Sequence, residues 1–125
     1  MAKILIIEDE QLHRTATTDR LVHEGYEVIS ASDGKEGFEM ATLEKPDLII
    51  LDILMPVQDG KETLLKLKEL EETKNIPVIV LTAISENELA DNECKQKLML
   101  ASEVLRKDET TLNLLSEKIR SYLKK

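Results

Sequence analysis

The chain has one cysteine, Cys94, no tryptophan, and only three aromatic residues in 125: Tyr26, Phe38 and Tyr122. A single thiol excludes an internal disulfide and fits a reducing cytoplasm. Cys94 lies among charged, helix-forming residues and reads as an ordinary thiol. With so few rings, the core has to be aliphatic. Positive charge is also scarce: 17 Lys and Arg face 25 Asp and Glu, for a net charge of -8. That balance disfavours nucleic acid or an anionic membrane as a direct partner. No apolar run approaches the roughly 20 residues needed to span a bilayer. Met1-Ala2-Lys3 leads directly into a strand-like segment, with no signal pattern before it. No repeat, linker or low-complexity stretch is present, so residues 1–125 read as one cytoplasmic domain with a genuine core.

What the chain does have is alternation. Five short, β-branched-rich segments predict strands at Lys3–Ile7, Glu27–Ser30, Asp47–Leu51, Pro77–Leu81 and Ser102–Arg106. Helical patterns fall between and after them, at Gln11–Glu24, Gly34–Leu43, Lys61–Thr73, Glu86–Met99 and Glu109–Leu123. Leu48–Leu51 and Val78–Leu81 are continuously apolar, as in strands buried on both faces of a parallel sheet. Leu112, Leu115, Ile119 and Leu123 form one stripe of the last helix. Gly25 suits a helix C-terminal cap, Asp33 with Glu36 resembles a capping box, and Pro46 follows the second helix. Strict βα alternation implies a doubly wound α/β fold with helices on both faces. Ligands in such folds bind at the carboxyl ends of the strands.

Those ends carry Glu8-Asp9-Glu10, Asp52, Thr82-Ala83 and Arg106-Lys107. Asp52 stands out. It leaves a buried apolar run and precedes a turn set by Pro56 and by Gly60, a residue tolerant of strained backbone angles. A carboxylate there is costly unless something uses it. Taken singly, each acid has a bland explanation, since acidic residues favour the first turn of a following helix. Together they have a chemical logic. Converging carboxylates repel one another unless a cation binds, and hard oxygen donors select a small divalent ion such as magnesium. A hydroxyl and an ammonium opposite them suit a phosphoryl group. Asp52 would attack, while the metal, Thr82 and Lys107 would each take one phosphoryl oxygen, leaving an aspartyl phosphate.

The order and spacing of these segments resemble the receiver domain of two-component response regulators over essentially the whole chain. The motifs are Ile6-Ile7-Glu8-Asp9-Glu10, Lys45 through Asp52, Met55-Pro56 with Asp59-Gly60, and Ile76 through Ala83. The resemblance implies a five-stranded parallel sheet of order 2-1-3-4-5 with five helices, a flavodoxin-like three-layer sandwich. It implies Asp52 as phosphoacceptor and Mg2+ held by Asp9, Asp52 and the backbone carbonyl of Leu54, with Glu8 acting mainly through a metal-bound water. It implies that Thr82 swings toward the phosphoryl group and Lys107 pairs with it. The donor would be phosphohistidine on a sensor histidine kinase or phosphotransfer protein, or a small molecule such as acetyl phosphate. The output would be a protein target of unknown identity. No output domain follows Lys125, so a stand-alone receiver is expected.

Three positions depart from the family pattern. Asp108 follows Lys107 where proline with a cis bond is usual. A cis bond to a non-proline residue costs about 2.5–4 kcal/mol, so a trans bond is expected, with Asp108 as N-cap of the last helix. Lys107 is then aimed differently, or Arg106 shares its role. Val104 stands where an aromatic ring is usual, and Leu100 where a small residue is usual. Leu54 and Ile84 lie beside the expected path of a hydrolytic water and cannot orient it, which predicts a long-lived phosphoryl group. His13 and His23 read as solvated helix residues without a catalytic role. Lys66, Lys68, Glu69, Glu71 and Glu72 read as an exposed helix face, and Met40 and Met99 as core filler. The alternative class is a pseudo-receiver, a phosphorylation-independent protein interaction module. An aspartyl phosphatase is disfavoured because Leu54 replaces the second carboxylate it would need. A flavin binder is disfavoured because acids, and not a phosphate-binding loop, follow the first strand.

Overall fold

The computed structural model describes residues 1–53, 59–83 and 91–123. Five parallel strands form a single sheet: β1 (Lys3–Ile7), β2 (Glu27–Ala31), β3 (Leu48–Leu51), β4 (Val78–Thr82) and β5 (Glu103–Arg106). Their spatial order is β2-β1-β3-β4-β5. Among the described residues there are five α-helices: α1 (Gln11–His23), α2 (Gly34–Glu44), α3 (Gly60–Glu69), α4 (Asn92–Leu98) and α5 (Leu112–Tyr122). This is the doubly wound, flavodoxin-like three-layer arrangement expected from the alternation.

Period-two alternation along the strands splits the core into two aliphatic layers. Leu5, Ile7, Ile49, Leu51, Val78 and Val80 pack with residues of α2, α3 and α4, including Leu64, Leu67, Cys94 and Leu98. Ile4, Ile6, Leu48, Ile50, Ile79 and Leu81 pack with Leu21 of α1 and with Leu115, Ile119 and Leu123. Each fully buried Leu or Ile contributes about 1.5–3 kcal/mol of transfer free energy, so β1, β3 and β4 are the rigid centre. Cys94 is buried within the first layer. Met99 and Leu100 are exposed, so Met99 is not core filler; Met40 packs against the first layer.

Local chemistry sets the ends of the elements. Gly25 takes φ 99° after α1, and its N–H donates to the Val22 carbonyl, the left-handed closure that glycine permits. Asp33 accepts from the Glu36 N–H at 2.8 Å, while Glu36 reaches back to the Ser32 N–H, also at 2.8 Å. The third helix ends at Glu69, four residues before the expected Thr73. There the Thr73 hydroxyl donates to the Leu67 carbonyl, and Lys68 Nζ donates to the carbonyls of Ile76 and Lys74. Lys68 is therefore a clamp on the loop entering β4 and not part of a plain exposed face. The last helix starts at Leu112 with Thr111 as its N-cap. Asp108 is instead inside a 3-10 turn, Lys107–Glu109, which corrects its expected capping role. The helix expected from Glu86 is described only from Asn92, with Asp91 as N-cap; residues 84–90 lie outside the described residues.

Gly60 opens α3 with Asp59 as N-cap. Its use differs from the expected tolerance of strain, because its φ is not positive. A Cβ at this position would run into the Asp52 carbonyl oxygen and come within 2.5 Å of Ile53 Cα. Only glycine lets α3 start directly against the strand end that bears Asp52. Gly60→Ala is expected to cost about 1–3 kcal/mol, the usual penalty for overpacking, measured as a lowered urea midpoint with an unchanged m-value.

Candidate functional site

In-register pairing brings the acids together. Ile7 of β1 pairs with Leu51 of β3, so Glu8 and Asp52 follow side by side as the next residues of adjacent strands. The Glu8 N–H donates to the Ala31 carbonyl and the Asp52 N–H to the Ile7 carbonyl, extending the ladder past the last strand residues. Glu8 continues the Ile4–Ile6 column and Asp52 the Leu48–Ile50 column, on the face covered by α1 and α5. Both carboxylates are buried, at 3% and 4% exposure. Asp9 is exposed, and ligand oxygens of Glu8, Asp9 and Asp52 lie within 4.8 Å of one another.

Like charges this close repel by roughly 3–4 kcal/mol per pair at an effective dielectric of about 20. Lys107 offsets part of that repulsion. Its Nζ is 3.0 Å from Glu8 Oε1, 3.4 Å from Asp52 Oδ2 and 3.8 Å from Glu10 Oε1. The lysine reaches the cluster across a trans peptide bond, so Asp108 does not aim it elsewhere. The Arg106 Nε faces the turn instead, with Asp108 at 3.2 Å and Glu109 at 3.9 Å. Burial lowers the Lys107 pKa, but the Glu8 hydrogen bond and the Asp52 and Glu8 charges outweigh it, and the net shift is upward.

His13 is the contact that sequence reasoning missed. Its Nδ1 lies 2.9 Å from Glu8 Oε1. The available signal was its position one turn into a helix that starts directly after the acids, on the stripe shared with buried Thr17 and Leu21. Glu8 also accepts from the Glu10 N–H, and Arg14 donates to the Glu8 carbonyl at 2.7 Å. Burial alone would raise the Glu8 pKa. His13, Lys107 and the Glu10 N–H outweigh it and bring it down to about 2, so Glu8 stays ionised.

Thr82 is fully buried as the last residue of β4, in register with Arg106. The expected residues Glu8, Asp9, Asp52 and Lys107 are thus gathered at one end of the sheet, with Thr82 at the end of a neighbouring strand. Leu54, Met55, Pro56 and Ile84, which carry the expected carbonyl ligand, the turn and the phosphoryl-lifetime argument, lie outside the described residues. Val104 is exposed on the edge strand. Three converging carboxylates fit a hard divalent cation: the donors are all oxygen, and two of them are buried where water cannot screen them.

Lys107→Ala is expected to lower unfolding free energy by about 1–3 kcal/mol in EDTA, since it leaves buried carboxylates without their ammonium. The loss should shrink in saturating Mg2+, where a cation supplies the missing charge. Urea titrations in the two buffers measure this; an equal loss in both would contradict it.

Comparison with known proteins agrees with this geometry. The family described as "Response regulator receiver domain" matches residues 4–120. The transcriptional regulatory protein PdtaR of Mycobacterium tuberculosis is 41% identical over 90 residues, covering 71% of this chain and 42% of that protein. The chain thus spans less than half the length of that curated relative. The chemotaxis protein CheY4 of Vibrio cholerae superposes with a TM-score of 0.84 at 29% identity, over 98% of each chain. The response regulator TrrA of Thermotoga maritima, solved in complex with Mg2+ and BeF, has a TM-score of 0.84 at 30% identity, covering 98% of this chain and 99% of that one. With the motif order, the sheet order and the acidic strand ends in agreement, this chain belongs to the receiver domain family of two-component response regulators.

Proposed function

We propose that this receiver domain takes a phosphoryl group onto Asp52, assisted by Mg2+, and thereby changes its affinity for a protein partner. The observation that carries the reading is the buried Asp52 carboxylate at a strand end, inside a cluster of three acids and 3.4 Å from Lys107. Asp52 and Asp9 would hold the metal directly, Glu8 would act through its water shell, and the Leu54 carbonyl would complete the protein ligands. When bound, Mg2+ supplies positive charge that offsets the carboxylates and the phosphoryl oxygens.

An Asp52 oxygen attacks phosphorus in line with the donor bond. The new O–P bond forms as the N–P bond of a phosphohistidine breaks, and the electron pair leaves on the imidazole nitrogen. With acetyl phosphate the O–P bond to acetate breaks instead. Lys107 stands beside the attacking Asp52 carboxylate and pairs with the anionic product, and the Thr82 hydroxyl takes a second phosphoryl oxygen. The donor is a sensor histidine kinase or a phosphotransfer protein in the cytoplasm. Among the described residues no helix is long and apolar enough to cross a membrane. Phosphorylation acts as a population shift, since only a state that places Thr82 and Lys107 against the phosphoryl group gains those contacts. The domain catalyses only its own phosphorylation and dephosphorylation. A phosphorylation-independent pseudo-receiver finds no support among the relatives, and the gathered acids argue against it.

Incubation with acetyl phosphate and Mg2+ is expected to add one phosphoryl mass to the parent and none to Asp52→Asn, read by intact mass. EDTA should abolish the addition. Thr82→Ala should still be modified at Asp52 but respond less in partner binding. Addition to Asp52→Asn at the parent's level would overturn the assignment.

A further inference from the structure

The position of Lys107 poses a geometric problem. It follows β5, yet its Nζ contacts Glu8 after β1, and β3 and β4 lie between those two strands. Three strand spacings of about 4.8 Å separate β5 from β1, roughly 14 Å in all. A lysine side chain covers less than half of that: five bonds of about 1.5 Å project to roughly 6 Å from Cα to Nζ. The Glu8 side chain makes up only part of the rest. The turn after β5 therefore has to throw Lys107 inward over the strand ends, and the direction of that turn decides whether the ammonium reaches the acids.

Among the described residues, three contacts tie the turn to Arg106. Its Nε is 3.2 Å from Asp108 Oδ1 and its second guanidinium nitrogen is 3.4 Å from Oδ2, a two-pronged contact over one intervening residue. Nε also faces Glu109 Oε1 at 3.9 Å. The Thr110 hydroxyl donates to the Arg106 carbonyl at 2.7 Å. The residue straddled by these contacts is Lys107. Arg106 itself is anchored by pairing with Thr82 in the sheet, so the clasp is tied to the strand that bears the site hydroxyl. Asp108 is exposed, so an ion pair here adds little to global stability. Two planar groups that meet in a fork do fix direction.

We propose that Arg106 and Asp108 are positioning residues for Lys107, a side-chain clasp that closes the 3-10 turn and aims the ammonium at Glu8 and Asp52. Neither touches the phosphoryl group; both act through Lys107. The proposal rests on the Asp52 phosphoacceptor reading for its kinetic consequence, but not for the placement of the ammonium. Asp108→Ala releases the fork without touching the core, and Asp108→Glu keeps a carboxylate for Arg106.

The test follows phosphoryl uptake from acetyl phosphate in saturating Mg2+, by intact mass against time, and the 15Nζ NMR signal of Lys107 in metal-free protein. Asp108→Ala is expected to slow uptake about tenfold, the scale of a modest misplacement of a reacting group, and to broaden or lose the Lys107 ammonium signal. Asp108→Glu should recover most of both. In a Lys107→Ala background, Asp108→Ala should cause no further slowing, because the group it positions is gone. An equal slowing in both backgrounds, or a Lys107 signal and uptake rate unchanged in Asp108→Ala, would overturn the proposal. If the parent takes up no phosphoryl group, the phosphoacceptor reading fails, while the ammonium signal still decides the clasp.

Discussion

The structure is organised around one electrostatic conflict: two buried carboxylates, Glu8 and Asp52, on adjacent strand ends with Asp9 beside them. Parallel pairing of β1 with β3 makes them neighbours, and the aliphatic layers beneath keep those strands from moving apart. Water is excluded from both acids, so their repulsion must be met by protein groups or by a cation. Lys107 answers from the turn after β5, His13 from α1 and the Glu10 N–H from the loop after β1. Gly60 allows α3 to close against the same strand end. Replacing Lys107 changes how much unbalanced negative charge the site holds, which is the quantity a divalent ion or a phosphoryl group responds to.

Much of this was legible in the sequence. Strand positions followed from continuous apolar runs, because strands covered on both faces have no polar side to disguise them. β1 was expected at Lys3–Ile7 and lies there. The acidic strand ends were legible for a related reason: charge directly after an aliphatic run is unusual enough to mark a site. Less legible were features set by contacts distant in sequence. The α3 terminus depends on Thr73 and Lys68 folding back onto carbonyls around it, and periodicity carries no trace of that.

The site shows the same division. Glu8, Asp9, Asp52 and Lys107 were named from their places at strand ends, and they are gathered there. His13 looked like a surface histidine because a helix pattern does not say which residue in its first turns leans over the preceding strand. Asp108 was expected to cap the last helix. The alternative partner was already present in Arg106, two residues earlier, and a guanidinium fork competes well with a backbone N–H for a carboxylate. Gly60 was expected to supply an unusual backbone angle, whereas its need is space against the Asp52 peptide.

A receiver built on this conflict should be least settled when no cation is present. The most direct measurement is urea unfolding of the parent and Asp52→Asn across a Mg2+ titration. If converging carboxylates dominate the site, Asp52→Asn will be more stable than the parent in EDTA, and the parent will gain more from Mg2+. Equal stability in EDTA with identical Mg2+ responses would contradict the account, because Asp52 would then neither add to the repulsion nor help to hold the ion.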